Sequence, residues 1–436
     1  MNDQAKIKAG EGKGLIILAA LSLVVGVTSG FVCALFRLTL QQADLLRGAF
    51  IAWAQREGFA GLLLVVVTLA VTAALAAWLV RRFSPDAAGS GIPQVEEALR
   101  GDEPAKPLRR ASVKFIGGVL AIGGGLALGR EGPSVQMGAA IADVLGRTFR
   151  RNWADCKVLL AAGAGAGLAT AFNAPIAGAV FVLEELVRQF EVRTAIAALG
   201  ASASAIAVAH LFLGALPDFH VEAQPYPGLG TVPIHVGLGV IAGLLGVAYT
   251  RAILGALWVT DRLQPWPAEV RALSVGAAVG LLAWFAPGLV GGGDAITQRT
   301  LDGTGPLSMV ALVFAVRFAL GPVSYGAGVP GGLFAPMLVL GAQTGVMFGS
   351  FCERWIPSAT FSPTAYAIVG MAAFFTAVVR APLTGIVLAT EMTGNASLLL
   401  PMLASCFTAM AVPTLLRVPP IYDSLKQRLA QRTSSS

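Results

Sequence analysis

Charge is scarce in this sequence. Only 13% of its 436 residues are Asp, Glu, Lys or Arg, about half the fraction of an ordinary soluble protein. Hydrophobic residues make up 56%, more apolar surface than one soluble core of this size can hide, which excludes a soluble globular domain. Histidine is nearly missing too. His210, His220 and His235 are the only three, too widely spaced for a metal motif, so ordinary loop or helix-end roles are expected of them. The four cysteines, Cys33, Cys156, Cys352 and Cys406, show neither paired nor metal-like spacing. Cys33 and Cys406 lie in apolar runs, where a thiol behaves as a small hydrophobe. Free thiols, no metal and no cofactor are expected.

Glycine and proline, by contrast, are abundant, at 52 and 24, many of them inside apolar runs. Soluble helices rarely tolerate that, whereas membrane helices accept both. The net charge is +7, from 31 basic and 24 acidic residues. The basic residues sit in short loops between apolar spans, the pattern of a positive-inside bias rather than of a nucleic-acid surface. The first apolar run, Leu15–Phe36, follows Lys6, Lys8 and Lys13. It exceeds the core of a signal peptide, and no soluble domain follows, so it is expected to be a membrane helix. Its basic flank, and the tail with Lys426, Arg428 and Arg432, put both termini in the cytoplasm and require an even number of crossings.

Leu15–Phe36, Gly61–Val80, Ala195–Gly214 and Leu398–Leu416 are long enough to cross a bilayer, which takes about 20 residues. Other apolar runs stop early. Thr364–Val379 ends at an arginine, the run after Pro175 meets Glu184 and Glu185, and the run after Pro382 meets Glu391. Short apolar helices between Gly-Pro loops are a transporter trait, because non-helical backbone at membrane depth survives only where it is buried or lines a polar cavity. The chain also repeats itself. Gly129, Pro133, Gly138 and Gly146 match Gly332, Pro336, Gly341 and Gly349 at a constant offset of 203 (332−129). Gly163, Ala174, Pro175, Gly178 and Glu184 match Gly370, Ala381, Pro382, Gly385 and Glu391 at an offset of 207 (391−184). Two repeats are predicted, near 14–215 and 233–420, packed with inverted topology around a midplane site. The stretch 216–233, with Asp218, His220, Glu222 and four prolines, reads as their linker. Residues 1–13 form an N-terminal segment and 421–436 a short C-terminal helix or tail.

Three Gly-Pro segments each precede an apolar helix: Gly89-Ser90-Gly91-Ile92-Pro93, Gly129-Arg130-Glu131-Gly132-Pro133 and Gly331-Gly332-Leu333-Phe334-Ala335-Pro336. Proline suits a first helical turn, and the glycines let the backbone turn and expose its amides. A helix start presents free N–H groups and the positive end of the dipole. Several such starts meeting in the membrane would bind an anion without the grip of a buried full charge, so the anion could leave.

These motifs, in this order and approximate spacing, resemble the CLC chloride channels and transporters, over residues 14 to 432. Tyr422, in Pro419-Pro420-Ile421-Tyr422, falls where that family places its pore tyrosine. The resemblance implies an all-α polytopic fold of two inverted repeats with broken and re-entrant helices, about eighteen helical pieces. It also implies a homodimer with one pathway per subunit in the inner or plasma membrane, and chloride and protons as its transported partners. It makes Ser90 and Tyr422 the hydroxyl ligands of the central anion, with the amides of Leu333 and Phe334 completing the site. It makes Glu131 the gating glutamate, whose carboxylate competes for an anion position and leaves it on protonation. Glu185 falls at the internal proton-transfer position of the exchangers, where channel members commonly lack an acid. Glu96 is implied to be a supporting acid paired with a basic group such as Arg. Ser90 favours chloride over nitrate or fluoride. Only 14 residues follow Tyr422 (436−422), so the nucleotide-binding tail of many eukaryotic members is not expected.

Other roles stay open for each of these residues. Glu131 could pair with Arg130, Ser90 could simply cap its helix, Tyr422 could be an interfacial anchor, and Glu184 and Glu185 could form a solvated helix end. Proton-coupled exchange is the expected function, with Glu131 serving both ions. A passive chloride channel would share every anion residue. A membrane enzyme would need a His or Lys beside Ser90 or Ser134, and no histidine lies near the Gly-Pro motifs.

Overall fold

The computed structural model describes residues 3–101, 106–263, 265–303, 305–355 and 362–435; side chains are described for residues 14–354 and 362–431 within these. Seventeen α-helices are present among the described residues, against the eighteen pieces expected. The first repeat holds α1 (Asp3–Ala54), α2 (Gly58–Phe83), α3 (Ile92–Arg100), α4 (Pro107–Gly123), α5 (Glu131–Thr148), α6 (Trp153–Phe172), α7 (Pro175–Phe181) and α8 (Val192–Leu213). The second holds α9 (Val232–Arg262), α10 (Ala268–Phe285), α11 (Asp294–Leu301), α12 (Leu307–Gly326), α13 (Phe334–Trp355), α14 (Pro363–Val379), α15 (Pro382–Thr393) and α16 (Leu399–Leu415). The last helix, α17 (Ile421–Ser435), belongs to neither set.

The backbone differs from expectation at its start. The first membrane helix is expected over Leu15–Phe36, yet α1 begins at Asp3 and runs unbroken to Ala54, 52 residues. At about 1.5 Å per residue that far exceeds one bilayer crossing. The continuation past Phe36 is rich in Leu, Gln, Ala and Arg, good helix formers. Its charges also find partners: Arg37 pairs with Asp218 at 2.5 Å, and Arg47 donates to the Gly123 carbonyl at 2.8 Å. Among the described residues, eight helical stretches are long and apolar enough to cross a membrane. Several others, including α3, α7 and α11, are too short.

The repeat offsets appear as reciprocal contacts. Gly129 and Gly332, equivalent by the 203 offset, exchange both backbone hydrogen bonds in an antiparallel bridge, 2.8 and 2.7 Å. An antiparallel bridge between equivalent residues is what a local two-fold axis produces. Gly138 packs on Gly163, and Gly341 on Gly370, so closely that a Cβ on any of the four would lie 2.1–2.5 Å from the facing carbonyl oxygen. The repeated glycines therefore let α5 lie against α6, and α13 against α14. Glu184 reaches across to the start of α15, accepting from the N–H groups of Leu383 (3.0 Å) and Thr384 (2.7 Å) and from the Thr384 hydroxyl (2.8 Å). Its equivalent Glu391 accepts from the N–H groups of Ile176 (3.1 Å) and Ala177 (2.7 Å) at the start of α7. Each acid satisfies orphan donors at the other repeat's helix start.

Candidate functional site

Four helix starts converge on one buried region: those of α3, α5, α13 and α17. Each follows a Gly- or Pro-rich loop that cannot continue the preceding helix. The loops before α3 and α13 are tied together by Gly89, whose N–H donates to the Val329 carbonyl and whose carbonyl accepts from the Gly331 N–H, both at 3.1 Å. Gly132 lies against Ser90, where a Cβ would come within 2.7 Å of the serine Oγ. The site is assembled by backbone approach that only glycine permits.

Glu131, at the first position of α5, is fully buried. Its Oε1 accepts a short hydrogen bond from the Ala335 N–H, in the first turn of α13, and its own N–H also faces the carboxylate. Oε2 has no partner. Arg130 does not pair with it. The Arg130 guanidinium is held by Asp294, by Asp218 at 3.1 Å and by the Ala171 carbonyl at 2.8 Å, so adjacency in sequence does not become a contact. The carboxylate rests on the N-terminus of a helix from the opposite repeat, a place suited to any anion.

Ser90 and Tyr422 are 1% and 0% exposed, and neither hydroxyl oxygen has a hydrogen-bond partner. Unpartnered polar atoms this deep are costly, and here two lie together. The Ser90 and Tyr422 hydroxyls face each other near hydrogen-bonding reach without forming a bond, and Tyr325, Glu131 and Glu185 lie within electrostatic range of Tyr422. The Ser90 N–H donates to the Tyr325 hydroxyl at 3.4 Å, and its side chain makes no cap. The N–H groups of Leu333 and Phe334 make no hydrogen bond among the described residues, whereas that of Ala335 is taken by Glu131. The Phe334 ring is fully buried among Phe375 (centroids 4.7 Å), Phe181 (5.7 Å), Tyr422 (6.0 Å) and Phe172 (6.2 Å). This aromatic collar and Tyr325 escaped the sequence pattern, because Phe172, Phe181 and Phe375 stand in no motif and read as ordinary apolar helix residues.

Glu184 and Glu185 part company. Helix α7 ends at Phe181 and continues as a π-type turn, Val182–Leu186, closed by the Val187 N–H on the Val182 carbonyl at 2.9 Å. The wider turn sends Glu184 toward α15 and Glu185 inward, where it is 3% exposed. Glu185 accepts from Arg188 at 3.1 Å. Both line an open cleft of about 390 Å³ that also touches Arg380 and Pro420. The basic partner of Glu96 is Lys426 on α17, not an arginine. The hydroxyl of Ser134 is taken by the Arg130 carbonyl at 3.0 Å, and His210 pairs with Asn173 at 2.9 Å, so neither forms a nucleophile–base pair.

Membrane-length helices, broken helices and anion-suited helix starts meeting at depth define a multi-span membrane transporter. The family described as voltage gated chloride channel matches residues 72–414, and the chain belongs to that family, the CLC proteins. The chain is 37% identical to the H(+)/Cl(-) exchange transporter ClcA of Vibrio parahaemolyticus, over 95% of this chain and 89% of that protein. It is 39% identical to the H(+)/Cl(-) exchange transporter ClcA of Cronobacter sakazakii, over 84% and 80%. The crystal structure of a slow cyanobacterial Cl-/H+ antiporter superimposes with a TM-score of 0.91 at 33% identity, covering 94% of this chain and 97% of that one.

Proposed function

We propose that this chain exchanges chloride for protons across a membrane as a secondary antiporter. The observation that carries the proposal is the Glu131 carboxylate accepting from the Ala335 amide in the first turn of α13, where it takes the place an anion would occupy. Protonation removes its charge, weakens its hold on that amide and frees the path. Ser90 and Tyr422 offer unpartnered hydroxyls to the central anion, and the free amides of Leu333 and Phe334 complete that site without a full positive charge. Glu185 relays protons between the cytoplasmic cleft and Glu131. An acid at this position, and the exchange activity named for the relatives, favour exchange over passive conduction. Ser90 favours chloride as the ion.

The same proposal takes 14–420 as the transport domain, with α17 contributing Tyr422. It places both termini in the cytoplasm, because Lys6, Lys8 and Lys13 flank one end and Lys426 and Arg428 the other. It also takes the working unit as a homodimer in the inner or plasma membrane. The test uses vesicles holding the reconstituted chain, with a chloride gradient and no proton gradient. Chloride efflux is expected to drive protons uphill. In Glu131→Gln the chloride flux is expected to persist while proton movement disappears. A wild-type protein that moves chloride and no protons would leave the passive channel; proton coupling that survives in the variant would remove Glu131 from its role.

A further inference from the structure

A chain of charges leads from Glu185 to the helix that carries Tyr422. Arg188 donates to Glu185 Oε1 at 3.1 Å and to the Glu185 carbonyl at 3.1 Å, and the same guanidinium pairs with Asp423 at 2.9 and 3.2 Å. Asp423 follows Tyr422 in the first turn of α17. Lys426, one turn on, approaches Asp423 at 3.4 Å and pairs closely with Glu96 of α3. The cluster thus holds three acids, Glu185, Glu96 and Asp423, against two cations, Arg188 and Lys426. Glu185 and Glu96 are 3% and 4% exposed, so an excess negative charge there is poorly solvated. One proton balances the set.

The remaining charged groups nearby are committed elsewhere. Glu184 is bound to the start of α15. Arg380 donates to the Ala377 and Val418 carbonyls, both at 2.8 Å, and so pins the loop that enters α17. On α17, Tyr422 also lies within electrostatic range of Glu185.

We propose that Arg188 is a positioning residue that links the protonation of Glu185 to the placement of the Tyr422 helix through Asp423. This rests on the exchange function proposed above. A proton arriving from the cleft neutralises Glu185, and a neutral acid accepts a much weaker hydrogen bond from a guanidinium than a carboxylate does. Arg188 is then left to Asp423, and the first turn of α17 is pulled by a different balance of charges. Run in reverse, displacement of α17 by a passing anion draws Arg188 from Glu185 and alters that residue's hold on its proton. The inner anion ligand and the inner proton site thereby sense one another without touching.

The test is a pair of variants of the full chain in vesicles, with chloride efflux and proton uptake followed over a pH series. In Asp423→Asn, chloride efflux at acidic pH is expected to stay near wild type. The protons moved per chloride are expected to fall at least about twofold, and the pH dependence of efflux to flatten, as the charge-assisted link is lost. Arg188→Lys, whose ammonium holds one acid at a time, is expected to give an intermediate ratio; it decides the matter alone where Asp423→Asn does not elute from size-exclusion chromatography as the wild type does. If wild type exchanges protons and the variants keep its ratio and pH profile, the link is refuted and the exchange function stands. If wild type itself moves no protons, both fall.

Discussion

In the first repeat Lys114 leaves α4, wholly buried, and donates to the carbonyls of Ala87 (3.1 Å) and Gly89 (2.7 Å). In the second, Arg317 leaves α12, 1% exposed, and donates to the carbonyls of Leu289 (3.2 Å), Gly291 (2.8 Å) and Gly292 (3.1 Å). The two cations are equivalent by the offset of 203 (317−114), and the carbonyls they hold by 202 (289−87 and 291−89). Each staples the loop before a short helix, α3 in one repeat and α11 in the other. One architecture thus appears twice, but the loops carry different residues. Where the first has Ser90 the second has Gly292, and where the first has Glu131 the second has Phe334 (334−131 = 203). One repeat supplies the acid and the hydroxyl; the other supplies bare amides and a ring. A symmetric scaffold becomes directional because different side chains occupy equivalent positions, so Glu131 sits on α13 while Phe334 packs toward Tyr422.

The largest effect should separate the two staples. Lys114→Met strands the Ala87 carbonyl and leaves the Gly89 carbonyl only the Gly331 N–H, whereas Arg317→Met strands the carbonyls behind Gly292. Each should destabilise the protein by about 1–3 kcal/mol, since buried acceptors lose their donors, as read by thermal unfolding in detergent. Chloride affinity, read by calorimetric titration, should weaken with Lys114→Met and stay unchanged with Arg317→Met; equal weakening would break the assignment of the anion to the first loop. A smaller difference should separate the two acids that cap across the repeats. Glu184 accepts three hydrogen bonds and Glu391 two. Glu184→Ala should therefore lower stability more than Glu391→Ala, each loss being on the order of 1–2 kcal/mol for a carboxylate at a helix start. The smallest effect belongs to Gly292→Ser, which places the residue of the first loop in the second. A Cβ at Gly292 meets nothing closer than the Leu128 carbonyl oxygen at 3.7 Å, so stability should stay within about 0.5 kcal/mol. Tighter chloride binding in this variant would mean that the second loop can be made into an anion site by one hydroxyl.

Much of the fold was legible in advance, because the restrictions on Gly, Pro and apolar run length are local. The motif spacing marked the starts of α3, α5 and α13, and the offsets 203 and 207 marked the pairs that the structure joins as Gly129 with Gly332 and as the reciprocal caps of Glu184 and Glu391. The extent of α1 was not legible, since the polar stretch after Phe36 looks like an exit from the membrane until Asp218 and the Gly123 carbonyl are seen to receive its arginines. The match of Lys114 to Arg317 stood in the sequence at the same offset. An identity match does not reveal it, because a conservative exchange of cations breaks such a match.

Around the site, residue types could be named from sequence, but partners could not. Arg130 adjoins Glu131 along the chain and yet binds Asp218 and Asp294. Glu184 and Glu185 are neighbours whose side chains serve different helices, because a π-type turn parts them. Residue types and their spacing already require that the chain live among lipids, that its helices break at named glycines and prolines, and that it is built twice; these follow from apolar length and from φ/ψ limits that each residue carries wherever it goes. It takes the packed fold to bring Glu131 onto α13, to set Ser90 and Tyr422 in one buried region, and to let Lys426 answer Glu96. Lys426 and Glu96 stand 330 positions apart, and Ser90 and Tyr422 stand 332 apart (422−90); side-chain partners at that range are set by how the helices pack, which no local preference encodes.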